Sequence, residues 1–489
     1  MKLDPYQIDA CNFARNQPDA AALLLGCGLG KTAISIRYIE QSIAEMESTG
    51  VLIVAPRRPA LVVWPLELDK WAPWLRYEVL RGPTIAEQLR KKADIYIINY
   101  EILSYTTGPQ DDRRPAGLVE ELKKIHSSKW PFDQIIWDEL TKMKTYNSKR
   151  LKAMAGVIRR MDKRVGLTGT AICSDYLDLW GQYFCLDAGK RLGDNYHRFK
   201  NRYFHLPNAY KKYDWHIRPG AKEEIEAKVA DISIAMESED HLDIPPCTFE
   251  IIETDLPVAL RKEYEELERE CLLVLDDDAE IMAVNAAVLC GKLLQFATGS
   301  IYFEDEEELA RLKEKGVIPA KMPKGVSHVH DIKLKAAEKI IRRHMAAGEP
   351  VLVAYGYKHE AARFLELFPE AVHLKGGMSA SKEQAIQKRW DAGEIPIILC
   401  HPASAGHGLN MQYGSHVALW LTPTYDFDLD HQINKRIDRR GQTHPTTIYR
   451  MVMRDTIDEA VLSRIETKAK KRDGFIKVLK RYRQEKELL

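Results

Sequence analysis

The chain has 489 residues, too many for one core of ordinary size, and about 150 residues per domain predicts roughly three units. Hydrophobic residues at 45% and charged residues at 29% exclude wholesale disorder, and a net charge of +1 means any surface for a polyanion must be a local patch. Apolar runs such as Val51 to Ala55 are far shorter than the ~20 residues that span a bilayer, so no membrane partner is expected.

In chain order, short apolar runs at Ala21 to Leu25, Val51 to Ala55, Ile95 to Asn99, Gln134 to Trp137 and Arg164 to Thr168 alternate with charged, helix-forming stretches. That alternation predicts a mostly parallel sheet covered on both faces. The rhythm returns at Val351 to Tyr355, Ala371 to Leu374, Ile395 to Cys400, His416 to Leu421 and Thr446 to Met451, so two α/β lobes are expected. We divide the chain into a first lobe at 1–186, a helical insertion and linker at 187–325, a second lobe at 326–455 and basic C-terminal helices at 456–489. The segment between the lobes carries acidic clusters at 276–278 and 304–308, and Pro245-Pro246 breaks any helix there. The tail from Arg464 holds ten Lys or Arg against four acids, which reads as a solvated helix face.

Eight cysteines at 11, 27, 173, 185, 247, 271, 290 and 400 form no closely spaced pair, the pattern of reduced core thiols in a cytoplasmic protein. His328 and His330 lack the further ligands of a metal set. The opening Met1-Lys2-Leu3-Asp4-Pro5 has no apolar stretch of the kind that directs export.

The chemistry begins after the first apolar run, at Gly26-Cys27-Gly28-Leu29-Gly30-Lys31-Thr32. Gly26, Gly28 and Gly30 let backbone N–H groups wrap a phosphate, a helix N-terminus adds positive potential, Lys31 reaches the β and γ phosphates, and the Thr32 hydroxyl can ligate magnesium. The strict pattern wants its first glycine where Leu25 stands; we expect Gly26 to serve a similar turn. A phosphate loop needs an acidic partner on a neighbouring strand, and Asp138, for the metal, with Glu139, as base, follows Ile135-Ile136-Trp137. The next strand ends in Thr168-Gly169-Thr170, small hydroxyl residues suited to sensing the γ-phosphate.

The second lobe has no phosphate loop. It carries Ser404-Ala405-Gly406-His407-Gly408-Leu409-Asn410 and the string His431 to Gln442, in which Arg436 and Arg439, three apart, are expected on one face of a helix. Two guanidinium groups presented together fit the charge of a transferring phosphoryl group.

These motifs, running in order from Pro5-Tyr6-Gln7 through Val54-Ala55-Pro56, Asp138-Glu139, Leu167 to Thr170 and Ser404 to Asn410 to Arg436-x-x-Arg439-x-Gly441-Gln442, resemble a compact Snf/Swi-class member of helicase superfamily two. The stretch Asp175 to Trp180 and the arginine string are its more discriminating parts. The resemblance implies two RecA-like P-loop lobes with helical insertions and a DNA-stimulated ATPase using ATP and Mg2+ in the cleft between them. Gln7, with Gly408 and Gln432, would contact the nucleotide. Arg57 would touch a phosphate backbone, and Thr168, Thr170, Ser404, Gly406 and Asn410 would couple nucleic acid to hydrolysis. It also implies duplex DNA ahead of single strands as partner, with RNA open, a monomer directed by some protein partner, and a bacterial or phage origin. Departures stand at Leu25-Gly26, where acidic residues are usual, and at Leu140-Thr141, where a small residue and histidine are usual. Strand separation against duplex translocation stays open, as does a module using the nucleotide only as a switch.

Overall fold

A computed structural model describes residues 2–104, 117–169, 175–207, 215–274, 290–303, 325–376, 378–405 and 410–487. In chain order the strands are β1 (Ala20–Leu25), β2 (Val51–Ala55), β3 (Tyr77–Val79), β4 (Ile95–Asn99), β5 (Gln134–Asp138) and β6 (Lys163–Thr168), then a short pair, β7 (Phe204–His205) and β8 (His216–Ile217). There follow β9 (Ser233–Met236), β10 (Cys247–Thr254), β11 (Ser300–Phe303), β12 (Gly325–His328), β13 (Val351–Ala354), β14 (Val372–Leu374), β15 (Ile397–Cys400), β16 (Val417–Trp420) and β17 (Thr446–Met453). The first three helices are α1 (Pro5–Asn16), α2 (Lys31–Ala44) and α3 (Trp64–Trp71).

Two compact units result: residues 1–205, 215–243 and 468–489 form the first, and residues 206–214 and 244–467 the second. The first contains a seven-stranded sheet in the order β3-β4-β2-β5-β6-β1-β9, every pairing parallel. All residues of β1, β2 and β4 are buried. That is why these strands read as unbroken apolar runs and not as alternating ones: helices cover both faces. The second contains six parallel strands in the order β10-β17-β16-β13-β15-β14. Two parallel sheets flanked by helices bear out the expected fold class of two RecA-like lobes.

The expected divisions at 187 and 326 are corrected. Strand β9 pairs with β1 and closes the edge of the first sheet, so the chain through Asp243 belongs to the first unit. Strand β10 pairs with β17 over eight residues and opens the second. The segment read as a helical insertion is thus shared between the two bodies; the acidic clusters lie outside the described residues.

The tail is also corrected. It is one helix, Ile457–Glu487, and its residues from Lys468 onward belong to the first unit. Phe475, Ile476 and Leu479 are buried in that unit's core, Phe475 edge-on to Tyr176 at 6.2 Å, while Lys471 pairs with Asp175 at 3.2 Å and Lys480 with Glu237 at 2.8 Å. Apolar residues at helical spacing outweighed the charges around them, which stay outside.

Among the described residues no helix is long and apolar enough to cross a membrane, no group of acidic, His or Cys side chains is arranged to hold a metal by itself, and Cys11, Cys27, Cys185, Cys247, Cys290 and Cys400 are free thiols.

Candidate active site

Within the first unit the site grows from the end of β1. Gly28 and Gly30 sit at φ 90° and 78°, the left-handed region that glycine enters without strain, and the turn they make delivers Lys31 as the first residue of α2. The helix therefore starts with its unpaired N–H groups facing the loop, the arrangement that receives phosphate. Lys31 Nζ donates to the carbonyls of Leu25 at 2.9 Å and Gly26 at 3.4 Å, folded over the loop it is to serve. Thr32 follows in the first turn of α2, partly exposed.

Gly26 is required for a different reason from the one expected. Its φ is not positive; instead a Cβ there would lie 2.6 Å from Ser238 Oγ and 2.9 Å from Ser238 N. The end of β9 and the residues just after it lie against the loop: Gly26 N donates to Met236 O at 2.9 Å and Ser238 Oγ to Cys27 O at 2.6 Å. Ser238 was not legible in the sequence as a loop partner, because 211 residues separate it from Cys27.

Gln7 lies on the other side. Pro5 starts α1 and Gln7, two residues on, accepts from Asp4 N at 2.9 Å through Oε1, capping the helix, while its Nε2 donates to Leu29 O at 3.0 Å. One amide hydrogen and one lone pair remain for a nucleotide base. The neighbouring Tyr6 ring stacks on His241, centroids 4.8 Å apart.

The acidic pair stands two strands from the loop, since β6 separates β5 from β1. Asp138 ends β5; burial pushes its carboxyl above the usual range, with the Trp64 N–H, 2.9 Å from Oδ2, and the Lys31 charge pulling it down. Glu139 is held at φ 65°, a left-handed conformation that costs a non-glycine residue ~1 kcal/mol or more. Tyr100 Oη donates to the carbonyls of Asp138 at 3.0 Å and Glu139 at 3.2 Å, and Thr141 Oγ1 donates to Glu139 Oε1 at 2.9 Å. Thr141, where histidine is usual in the class, thus orients the carboxylate itself. Thr168 is buried at the end of β6, and a Cβ on Gly169 would lie 3.8 Å from Lys31 Nζ, which places that strand end beside the loop. Arg57 is exposed just past β2. Thr170 lies outside the described residues.

In the second unit, the helix Phe427–Ile437 begins at Asp426, whose carboxylate accepts from the N–H groups of Asp428 and Leu429. Buried Asp430 accepts from Arg450 at 2.9 Å and from Asn434 at 3.1 Å, which locks the helix to β17. Gln432 and Arg436 lie on this helix, both partly exposed. Arg439 does not: Asp438 leaves helical dihedrals at φ −91°, ψ 80°, and the shared helix face expected for the two arginines is corrected to a helix followed by a turn. Arg439 Nη1 donates instead to Asn410 Oδ1 at 2.6 Å, and Met411 N donates to Arg436 O at 3.1 Å. The two motifs of this unit, 21 residues apart between Asn410 and His431 in the chain, are therefore one assembly. Buried Gln442 ties it together, its Nε2 donating to the carbonyls of Gln412, Ser415 and Ile437. Ser404 falls in the short helix Pro402–Ala405; Gly406 and Gly408 lie outside the described residues.

A phosphate loop, an acidic pair on the same sheet and an arginine-bearing helix on a second parallel sheet are the parts of a helicase-type ATPase. Residues 6–283 match the model of the SNF2-related domain, and residues 332–442 match that of the helicase conserved C-terminal domain. The chain belongs to the SNF2-related family. It is accordingly a nucleic-acid-dependent ATPase of helicase superfamily two, Snf/Swi class.

This SNF2-related ATPase is 31% identical to putative protein p41 of Acyrthosiphon pisum secondary endosymbiont phage 1 over 474 residues, 93% of this chain and 94% of that one. It is 22% identical to the SWI/SNF chromatin-remodeling complex subunit snf22 of Schizosaccharomyces pombe over 90% of this chain, which spans only 26% of that protein. Among solved structures it is similar to the Sulfolobus solfataricus SWI2/SNF2 ATPase core in complex with dsDNA, at 22% identity and TM-score 0.43, covering 95% of this chain and 90% of that one.

Proposed function

We propose that the protein is a motor that hydrolyses ATP to ADP and phosphate and moves along duplex DNA without needing to separate its strands. The observation that carries this reading is the frame around Glu139: a strained carboxylate at a strand end, held by Tyr100 and Thr141, beside a phosphate loop built on Gly28, Gly30 and Lys31. A pure nucleotide switch has no use for a carboxylate so oriented.

The residues fit a nucleoside triphosphate with its divalent cation, since the loop leaves no room for a Cβ at Gly26, holds Gly30 at a φ that favours glycine, and presents a lysine and a helix N-terminus. Thr32 and Asp138 would hold magnesium, which neutralises charge on the β and γ phosphates. Lys31 leaves its carbonyl partners for the phosphates, and Glu139 accepts the proton of the attacking water. Arg436 and Arg439 supply positive charge to the transferring phosphoryl group, an effect worth ~10³ to 10⁵ in rate where one arginine does so. Arg439 also donates to Asn410 through Nη1, which links phosphate chemistry to the Ser404–Asn410 segment that would sense nucleic acid. Gln7 reads the base with its remaining donor and acceptor. Arg57, exposed beyond β2, meets backbone phosphate, so DNA contacts are sequence-independent and weaken with salt.

The test is the ATPase rate with and without duplex DNA, alongside triplex displacement and strand displacement. A duplex-stimulated rate with triplex clearance supports the motor; a rate indifferent to DNA overturns it, and stronger stimulation by RNA reassigns the substrate.

A further inference from the structure

One buried hydrogen bond at the site has no part in the chemistry described so far. Trp64 is fully buried, and its indole carries a single donor and no acceptor. A buried indole N–H needs an acceptor. Here the N–H goes to a side-chain carboxylate, Asp138 Oδ2, at 2.9 Å, across 74 residues of sequence.

Backbone geometry sets this up. Residues Pro59–Val63 form a π-helical turn, and Trp64 N donates to Pro59 O five residues back, not four. One additional residue in the turn rotates every following side chain by about 100° relative to an uninterrupted α-helix. The turn thus decides which way position 64 points, and it points at the end of β5. A bond to Oδ2 restrains rotation of the carboxyl plane and leaves Oδ1 the more open oxygen for another partner.

We propose that Trp64 is a positioning residue for the cation-binding carboxylate: its N–H holds Asp138 so that the second oxygen faces the magnesium that arrives with the nucleotide. This rests on the reading of Asp138 as a magnesium residue. An outer partner of this kind contributes by orientation, and losing one typically weakens metal affinity or activity 10- to 100-fold.

Trp64→Phe removes the donor and keeps an apolar ring. Because the smaller ring leaves space in a packed core, a second variant replaces the indole at position 64 with its benzothiophene analogue, in which sulfur stands where the N–H was and the volume is unchanged. Binding of a fluorescent ATP analogue is titrated with magnesium and repeated in EDTA. The expected result in either variant is a 10- to 100-fold higher magnesium concentration at half-saturation, with metal-free nucleotide binding unchanged. Turnover should fall at low magnesium and recover at saturating magnesium, where KM for the nucleotide should match the wild-type value, a recovery that a packing role would not produce. An unchanged magnesium requirement in the benzothiophene variant overturns the proposal. Asp138→Asn separates the two claims: if it raises the magnesium requirement and the position-64 variants do not, Trp64 has no positioning role, and if it leaves that requirement at the wild-type value, the assignment of Asp138 falls and this inference with it.

Discussion

A Cβ placed on Gly30 would run into Gln7 Nε2, so a side chain there displaces the Gln7 amide from its bond to Leu29 O. Gly30→Ala must move Gln7 and also hold a φ of 78° that alanine resists. Nucleotide binding is expected to fall at least tenfold, measured by equilibrium titration. Gln7→Ala added to it relieves the clash but leaves the dihedral and removes the base contact proposed for Gln7, so the double variant should bind nucleotide no better than Gly30→Ala.

Glu139 offers a stability test in the opposite direction. Glu139→Gly removes left-handed strain worth ~1 kcal/mol or more, so the folded state should gain on the order of 1 kcal/mol in denaturant unfolding while hydrolysis is abolished. A variant of unchanged activity would show that the carboxylate is not the base.

Lys31→Ala and Arg439→Ala should separate binding from chemistry. Loss of Lys31 removes affinity for the triphosphate. Loss of Arg439 should leave nucleotide affinity near wild type and lower single-turnover hydrolysis by ~10³ or more, as expected of an arginine acting only in the transition state.

Two histidines make the second unit acid-sensitive. Burial drives His330 and His359 each down to about 4; His359 stacks near Tyr302 and Tyr357, and neither of its ring nitrogens has a hydrogen-bond partner among the described residues. The unfolded chain binds protons at pH ~6.5 where the folded one does not, so their neutral burial costs nothing above that pH and destabilises progressively as pH falls toward 4. At pH 5 the loss should be about 1–2 kcal/mol per histidine. His359→Phe should flatten the pH dependence of urea unfolding between pH 7 and 5.

The C-terminal helix should be indispensable to the first unit. Phe475 is 1% exposed within that core, and Phe475→Ala should cost ~3–5 kcal/mol, read as a lower unfolding midpoint.

Much of this architecture was written in the residues. Parallel strands such as Val51–Ala55 are buried on both faces and announce themselves as apolar runs; the phosphate loop and Asp138-Glu139 announce themselves by spacing. Strand β9 escaped because four residues between charged stretches carry little pattern, and β10 because its exposed edge mixes Phe249 and Ile251 with Glu250 and Glu253. Spacing misplaced Arg439, because three-residue periodicity assumes a helix that continues and Asp438 ends it. Trp64, Tyr100 and Ser238 were missed for a shared reason: each acts on a partner at least 38 residues away, and a tryptophan in an apolar run reads as core filler. The one available signal was that a buried indole N–H needs an acceptor.

Because Phe475, Ile476 and Leu479 are buried in the core of the unit that holds the phosphate loop, that unit is completed by residues far along the chain from its sheet. The strands of that sheet are made first, and more than two hundred residues separate the last of them, Ser233–Met236, from Phe475 and Leu479. A chain stalled before Phe475 therefore leaves bare the apolar surface around Tyr176 that this ring covers.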